Sequence, residues 1–209
     1  MTYTQLKAEV RRRLNETSAN FWADADVNAA INDGYAEMSD VSEWYKRSST
    51  VTLTTNTTYY TPSTLTSTEF LSPVACQNAT TKKWLEMVDE RWLDENMYPR
   101  WESISSEPEY MLMRGLFKIG FTPKPTTSRQ LTFYYSSIPS ALSSGSDEPG
   151  FPQEYHFGIV EYALYDLHCQ EGEIDKALDN WKAYLEYENG LVKYSDNPIA
   201  IPKVNSFNG

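Results

Sequence analysis

The sequence has few of the residues that metal sites and most enzyme active sites require. Its 209 residues include two histidines and two cysteines. His156 and His168 would lie about 120° apart around a helix, so they cannot share a metal ion in the usual i, i+4 arrangement. Cys76 and Cys169 are too few for a disulfide scaffold and lack metal-site spacing. The nine glycines are scattered singly, without a phosphate-binding loop. We therefore expect no catalytic, cofactor or metal site.

Basic residues are also scarce. The chain has 18 Lys and Arg against 29 Asp and Glu, which gives a net charge of −11. Binding of nucleic acid through its phosphates needs a basic face, so this balance argues against a DNA- or RNA-binding protein. No apolar run is long enough to predict a transmembrane helix. Much of the acidity lies in residues 142–196, where a solvated surface is the simplest interpretation and repulsion of phosphates is an alternative.

Aromatic residues, in contrast, are abundant. They make up 14% of the chain, with 6 Trp, 15 Tyr and 8 Phe. The tryptophans are spread over every segment, which favours roles in the core and in large interfaces. The aromatic residues, together with the acid pairs Asp89/Glu90 and Asp94/Glu95, leave a carbohydrate-binding or glycoside-cleaving module as an alternative function.

Apolar residues at helical spacing predict helices at both ends of the chain. Leu6, Val10 and Leu14 mark the first helix, which ends in the three consecutive arginines 11–13. These point in three directions and so do not form a basic stripe; we favour a structural role over a binding patch. A second helix is predicted over roughly residues 24–45, in which Gly34 indicates close packing against another element. Two more helices follow residue 152, the last with a stripe of Ile174, Leu178, Trp181 and Leu185.

The middle of the chain has the composition of strands. Residues 46–62 alternate Thr, Val and Tyr around Asn56, which predicts a β-hairpin. Residues 63–83 are rich in Ser and Thr and are predicted to be mainly loop. A second hairpin is expected around Gly115, and a last strand over residues 130–135.

These elements predict an α+β fold, an antiparallel helical bundle from the N- and C-terminal helices with an inserted antiparallel β region. Four segments follow from this division. They are the N-terminal helix pair (1–45), the β-rich insertion with one short helix (46–138), the linker and C-terminal helical hairpin that complete the core (139–195), and an extended C-terminal tail (196–209).

Several motifs carry a resemblance to a known family. The run Phe21-Trp22-Ala23-Asp24-Ala25-Asp26 is followed by Ile31-Asn32-Asp33-Gly34-Tyr35, and Phe121-Thr122-Pro123-Lys124-Pro125 lies before Leu131-Thr132-Phe133-Tyr134-Tyr135. In this order they resemble the head-to-tail adaptors of tailed bacteriophages, which are portal-bound connectors. The motif residues that we assign to this family are Phe21, Trp22, Asp24, Ile31 and Asn32.

The resemblance implies a structural virion protein and not an enzyme. Family members form a ring, usually of twelve copies, between the portal and the tail, and they line the channel for DNA ejection. The implied partners are other copies of the chain, the portal protein and a tail or nozzle protein. Genomic DNA passes without specific binding, and no membrane is involved. The implied location is the neck or tail of the virion. The resemblance also implies that the protein is made in the cytoplasm of the bacterial host and takes part in tail assembly.

Two groups of site residues follow from this resemblance. The acids expected to face the channel are Glu154, Glu161, Asp175, Asp179, Glu186 and Glu188. The tail residues expected to contact the portal or a neighbouring subunit are Pro198, Ile199, Ile201, Pro202, Val204 and Phe207. Two alternatives remain, another neck or tail-completion protein and a carbohydrate-binding module of a phage tail.

Overall fold

The computed structural model describes residues 1–16, 19, 21–66, 70–97, 100–115 and 118–196. The chain divides into two compact units. One comprises Met1–Trp44 and Pro139–Gly209, and we call it the helical unit. The other comprises Tyr45–Ile138, and we call it the sheet unit.

The described residues form six α-helices and nine β-strands. The helices are α1 (Tyr3–Arg13), α2 (Asp24–Val41), α3 (Pro62–Leu65), α4 (Glu90–Asn96), α5 (His156–Glu171) and α6 (Ile174–Asp196). The strands are β1 (Lys46–Leu53), β2 (Tyr59–Tyr60), β3 (Phe70–Asn78), β4 (Trp84–Met87), β5 (Ser105–Ser106), β6 (Tyr110–Arg114), β7 (Lys118–Thr122), β8 (Lys124–Pro125) and β9 (Arg129–Ser137). Short 3-10 turns span Trp101–Ser103 and Gln153–Tyr155.

In the helical unit, the helix ends are fixed by local chemistry. α1 begins with a capping box, in which Thr2 Oγ1 accepts from the Gln5 N–H and Gln5 Oε1 accepts from the Thr2 N–H. α5 ends at Gly172, whose positive φ of 83° suits glycine. Gly34 on α2 lies against Tyr162 of α5, where an added Cβ would come within 3.0 Å of the ring. This confirms the close packing predicted for Gly34.

In the sheet unit, seven strands form one curled sheet in the order β1-β9-β3-β4-β6-β7-β2. β1 and β2 lie at opposite ends of this order, although only five residues separate them in sequence. The hydroxyl of Tyr60 accepts a hydrogen bond from the Thr54 N–H at 2.8 Å. The two ends of the sheet are therefore close, and the sheet encloses a core. Its buried residues are Val51, Leu53, Leu65, Cys76, Leu85, Met111, Ile119, Phe121, Leu131, Phe133 and Tyr135.

The predicted fold, a helical bundle with an inserted antiparallel β region, is wrong. The protein is mixed α+β, and its seven-stranded sheet is a compact unit with a hydrophobic core. The sheet is not purely antiparallel either, because β4 pairs with β6 in parallel. Strands with many polar residues give a weak sequence signal, so the sequence pattern indicates less sheet than the fold contains.

Two local predictions in this unit fail for specific reasons. Residues 46–62 do not form a hairpin, because β1 pairs with β9 and β2 pairs with β7. Part of the predicted loop over residues 63–83 is strand β3. Pro73 is tolerated there because the pairing with β9 shifts register between Pro73 and Ala75, as at a β-bulge.

None of the helices in the described parts of the chain has the length and apolarity to span a bilayer.

Candidate interaction surfaces

A buried polar network holds the loop between α1 and α2. The Arg11 guanidinium donates to the carbonyl of Trp22 at 3.2 Å and to Asp24 Oδ1 at 2.6 Å, and it pairs with Glu16 at 3.3 Å. The Glu16 carboxylate also accepts from the backbone N–H groups of Phe21 and Trp22. The side chains of Arg11 and Glu16 are only 10% and 8% exposed, so this network fixes the loop from within. The structural role predicted for Arg11 is thus seen in this network, whereas no pattern in the sequence indicates the role of Glu16.

This loop displays an aromatic side chain to solvent. Phe21 is 71% exposed, and its ring lies edge-on against Trp22 with centroids 5.1 Å apart. Adjacent apolar side chains at the surface can mark an interaction surface, and Trp22 beside Phe21 is half-buried. Phe21 is therefore a candidate contact residue.

The other motif residues are structural. Ile31 is fully buried. The Asn32 amide accepts from the Leu142 N–H at 2.7 Å and donates to the Leu142 carbonyl at 3.2 Å, which attaches the segment before α5 to α2. Asp24 begins α2 and binds Arg11.

The six predicted channel acids have different environments. Glu161 is 6% exposed and pairs with Arg13 of α1 at 2.5 Å. Glu188 is half-buried and accepts from the Tyr184 hydroxyl at 2.8 Å. The other four are exposed, and one of them, Asp179, pairs with Lys182 at 3.1 Å; they are Glu154, Asp175, Asp179 and Glu186. A channel-facing role for these acids stays a prediction.

Six of the predicted contact residues belong to the C-terminal tail. Pro198, Ile199, Ile201, Pro202, Val204 and Phe207 lie outside the described residues.

An aromatic cluster lies where α5 meets α6. Tyr165 and Trp181 have ring centroids 4.8 Å apart, and Trp181 and Tyr184 are 5.0 Å apart. Tyr162 joins them at 5.2 Å from Tyr184. One and two turns before Trp181, α6 carries Leu178 and Ile174, which are 49% and 56% exposed. We call this surface the aromatic face; it consists of Tyr162, Tyr165, Ile174, Leu178 and Trp181, and Tyr184 is buried beside it.

The aromatic face shows how α6 is oriented. The buried apolar residues in the described part of α6 are Ala177, Tyr184 and Leu191, which lie on one side of the stripe noted in the sequence. Trp181 and Leu185 on that stripe are half-buried, and Leu178 is half-exposed. Within the chain, α6 therefore carries more apolar surface than its packing on α5 covers.

Five carboxylates surround this face. Burial raises the pKa of Tyr162, and the negative charges of Glu37, Asp166 and Asp33 raise it further. The pKa of Glu37 is also raised, first by burial and then by the charges of Asp40 and Glu188. None of the five forms a salt bridge within the described residues. We call them the acidic rim, and they are Asp33, Glu37, Asp40, Asp166 and Glu188.

In the sheet unit, the acid pairs that suggested glycoside cleavage have structural partners. Asp89 caps α4 by accepting from the Trp92 N–H at 2.6 Å, and Asp94 accepts from the Trp101 indole N–H at 2.8 Å. Their neighbours in sequence are paired with arginines, Glu90 with Arg114 at 3.1 Å and Glu95 with Arg91 at 2.9 Å. Glu90, Asp94 and Arg114 line a cavity of about 310 Å³. Each carboxylate is thus used in local structure.

The histidines and cysteines show no arrangement for metal binding. His156 is 2% exposed, and its Nε2 lies 2.9 Å from the carbonyl of Phe151. Its Nδ1 lies 2.6 Å from the Met1 amino nitrogen. Cys76 is buried in the sheet core, and burial raises the pKa of its thiol to about 12. Across the ranges that the structure describes, no group of three or more His, Cys, Asp and Glu residues could hold a metal ion.

Comparison with known proteins gives one match to a family. A family model described as SU10 adaptor protein matches residues 1–200. No curated protein matches the sequence.

Proposed function

Because the chain belongs to the SU10 adaptor protein family of phage head-to-tail adaptors, we propose that its copies form a closed ring between portal and tail. The family implies a place in the virion neck and association with the portal and the tail. The match over residues 1–200 is the observation that carries the proposal. In the ring, each copy contributes one sector of the wall of the channel through which DNA leaves the head.

Exposed apolar side chains support the formation of a ring. In the helical unit, Phe21, Ile174 and Leu178 are 71%, 56% and 49% exposed. In the sheet unit, Trp84 and Met87 are 55% and 49% exposed. A closed ring needs two different patches on each copy, one for each neighbour. Large apolar residues on both units supply surface for such contacts.

Charge supports a channel that does not bind DNA. The net charge of −11 per chain gives −11 × 12 = −132 for twelve copies. Asp175, Asp179 and Glu186 are exposed and lie within about 40° of one another around α6. Acids on the inner wall would repel the DNA phosphates and so let DNA slide past. Glu161 is bound to Arg13, so we leave it out of this proposed wall.

The C-terminal tail is the proposed contact with the portal or with a neighbouring subunit. Ile199, Ile201, Val204 and Phe207 are apolar, and the prolines at positions 198 and 202 prevent a helix. Deletion of residues 197–209 should abolish ring assembly and leave the melting temperature of the monomer unchanged. Equal assembly after the deletion would refute this role.

Native mass spectrometry tests the proposed function. The 24.0 kDa chain is measured alone and after mixing with the portal protein of the same phage. A complex of the portal with multiple copies of the chain supports the adaptor function. A ring without the portal supports a channel component at another position in the neck. A monomer that does not bind the portal contradicts the proposal.

A further inference from the structure

We propose that the aromatic face of one copy binds the C-terminal segment, residues 197–209, of a neighbouring copy. This inference rests on the proposed ring and names the surface that receives the tail.

The aromatic face has the properties of an uncovered docking surface. Ile174 and Leu178 are about half exposed, and Trp181 is half-buried beside them. The rings of Tyr165 and Trp181, 4.8 Å apart, form a preordered surface that loses little conformational entropy on binding. Since burial of apolar surface drives association, a partner that covers this stripe gains affinity.

The tail matches this surface in apolar character. Its sequence is Asn-Pro-Ile-Ala-Ile-Pro-Lys-Val-Asn-Ser-Phe-Asn-Gly. Proline-containing extended segments dock on surfaces lined by aromatic rings, because they lose little entropy and their apolar faces fit between the rings. Pro198 and Pro202 lack a backbone N–H and so disfavour a helix at these positions, and Ile199, Ile201 and Val204 supply apolar side chains for the contact.

The tail also matches the charge of the surface. Lys203 is the only charged side chain in residues 197–209. The acidic rim holds five carboxylates that have no salt-bridge partner in the described part of the chain. A lysine near Asp33 or Glu37 would relieve the repulsion among these carboxylates. A cation of this kind sets the orientation of the bound segment.

The length of the tail permits the contact. It starts at the end of α6, and its thirteen residues span up to about 43 Å when extended, at about 3.3 Å per residue. The distance from Asp196 back to Leu178 along α6 is about 27 Å, at 1.5 Å per residue. The tail can thus reach the face of its own chain or that of a neighbour. We commit to the neighbour because a tail and a face on every copy form the head-to-tail pair that closes a ring.

Cross-linking between two populations of the protein, each a different cysteine variant, tests the contact. Both carry Cys169→Ser, so that the buried Cys76 is the remaining natural thiol. One population also carries Leu178→Cys, and the other Val204→Cys. The mixed populations are allowed to assemble and are treated with a short bismaleimide, which adds one thiol from each chain. We expect a covalent dimer in the mixture and little in either population alone. The position of Leu178 is half-exposed, so this substitution leaves the fold intact.

Charge reversal provides the second measurement. In the Val204→Cys chain, Lys203→Glu should lower the initial cross-linking rate about tenfold. Asp33→Lys in the Leu178→Cys chain should restore the rate, because the opposite charges then face each other again. Asp33 is exposed, so its substitution does not disturb the core. Lys193→Glu is the matched control with the same change of net charge, and it should leave the rate unchanged.

The outcomes separate this inference from the proposed function. A ring in native mass spectrometry without a cross-link between the populations overturns the inference and leaves the ring in place. A third variant carries both Leu178→Cys and Val204→Cys. If it cross-links within one chain while the mixed single-cysteine variants do not cross-link, the tail folds back on its own helix and the inference is also overturned. If neither ring nor cross-link forms, both proposals are wrong.

Discussion

Arg13 Nη1 and Glu161 Oε1 lie 2.5 Å apart and join the end of α1 to the middle of α5. Glu161 is 6% exposed, and Arg13 is also bound by Glu9 at 2.9 Å. An acid that appeared in the sequence to belong to a solvated surface thus stabilises the packing of two helices that are distant in sequence.

The first prediction concerns this ion pair. Glu161→Gln should lower the free energy of unfolding by about 1–2 kcal/mol, because Arg13 keeps Glu9 but loses its buried partner. Glu186→Gln on the exposed side of α6 is the matched control and should change stability little. Urea denaturation of both variants measures the difference. Equal effects would mean that the buried pair does not stabilise the helical unit.

The second prediction concerns the loop that presents Phe21. Glu16→Ala should lower the free energy of unfolding by about 3 kcal/mol. The substitution removes a carboxylate that pairs with the buried Arg11 and that accepts hydrogen bonds from two backbone N–H groups. Hydrogen exchange at Phe21 and Trp22 should accelerate in the same variant. Glu95→Ala removes a carboxylate from an exposed pair with Arg91, and such a pair contributes only about 0–1 kcal/mol. A small effect of Glu16→Ala would show that the loop is held by other contacts.

Individual elements show which features of the fold the sequence predicts. The capping box at Thr2 and the close approach at Gly34 were predictable because each depends on residues near in sequence or on a single missing side chain. The pairing of β1 with β9 was not, because nothing in the pattern around Asn56 specifies a partner about 80 residues away.

In the candidate site, too, some features are predictable from local sequence and others depend on residues that are distant in sequence. The spacing of Ile174, Leu178 and Trp181 indicates an apolar stripe, but periodicity does not reveal what covers it. In the fold, part of that stripe is exposed, and Ala177 and Leu191 are buried. The role of Glu16 depends on the folding of a loop back onto Arg11 and has no periodic signal.

The third prediction is a dependence of stability on pH caused by His156. Burial lowers the pKa of His156 below its ordinary value of 6.5, with a smaller opposing effect of the hydrogen bond to Phe151. The folded state therefore binds a proton less readily than the unfolded state. Stability from this group is complete above about pH 6.5 and is lost as the pH falls towards the lower folded-state pKa.

Urea denaturation between pH 7.5 and about 5.5 checks this dependence. The range lies above that in which most carboxylates titrate; Glu9, for example, has a pKa lowered to about 2, chiefly by its hydrogen bond with Arg12. The exception is Glu37, whose pKa is raised, and it is present in the wild type and in both histidine variants. The free energy of unfolding should fall with pH in the wild type and much less in His156→Gln. His168→Gln retains His156 and should keep the wild-type slope. An identical slope in His156→Gln would exclude His156 as the cause.

The last prediction tests which side of the ring the α6 acids face. In a ring variant with Asp175, Asp179 and Glu186 all replaced by Lys, the net charge of each chain changes from −11 to −5, because −11 + 6 = −5. A basic inner wall attracts phosphates, so this ring should retain linear duplex DNA, with an affinity that falls steeply with salt. Closed circular DNA cannot thread through a ring, so it should bind far less. The matched control replaces Glu86, Glu95 and Glu148, which are exposed elsewhere, with Lys. It has the same charge but should not prefer linear DNA. If the α6 variant binds linear and circular DNA equally well, these acids lie on the outside of the ring.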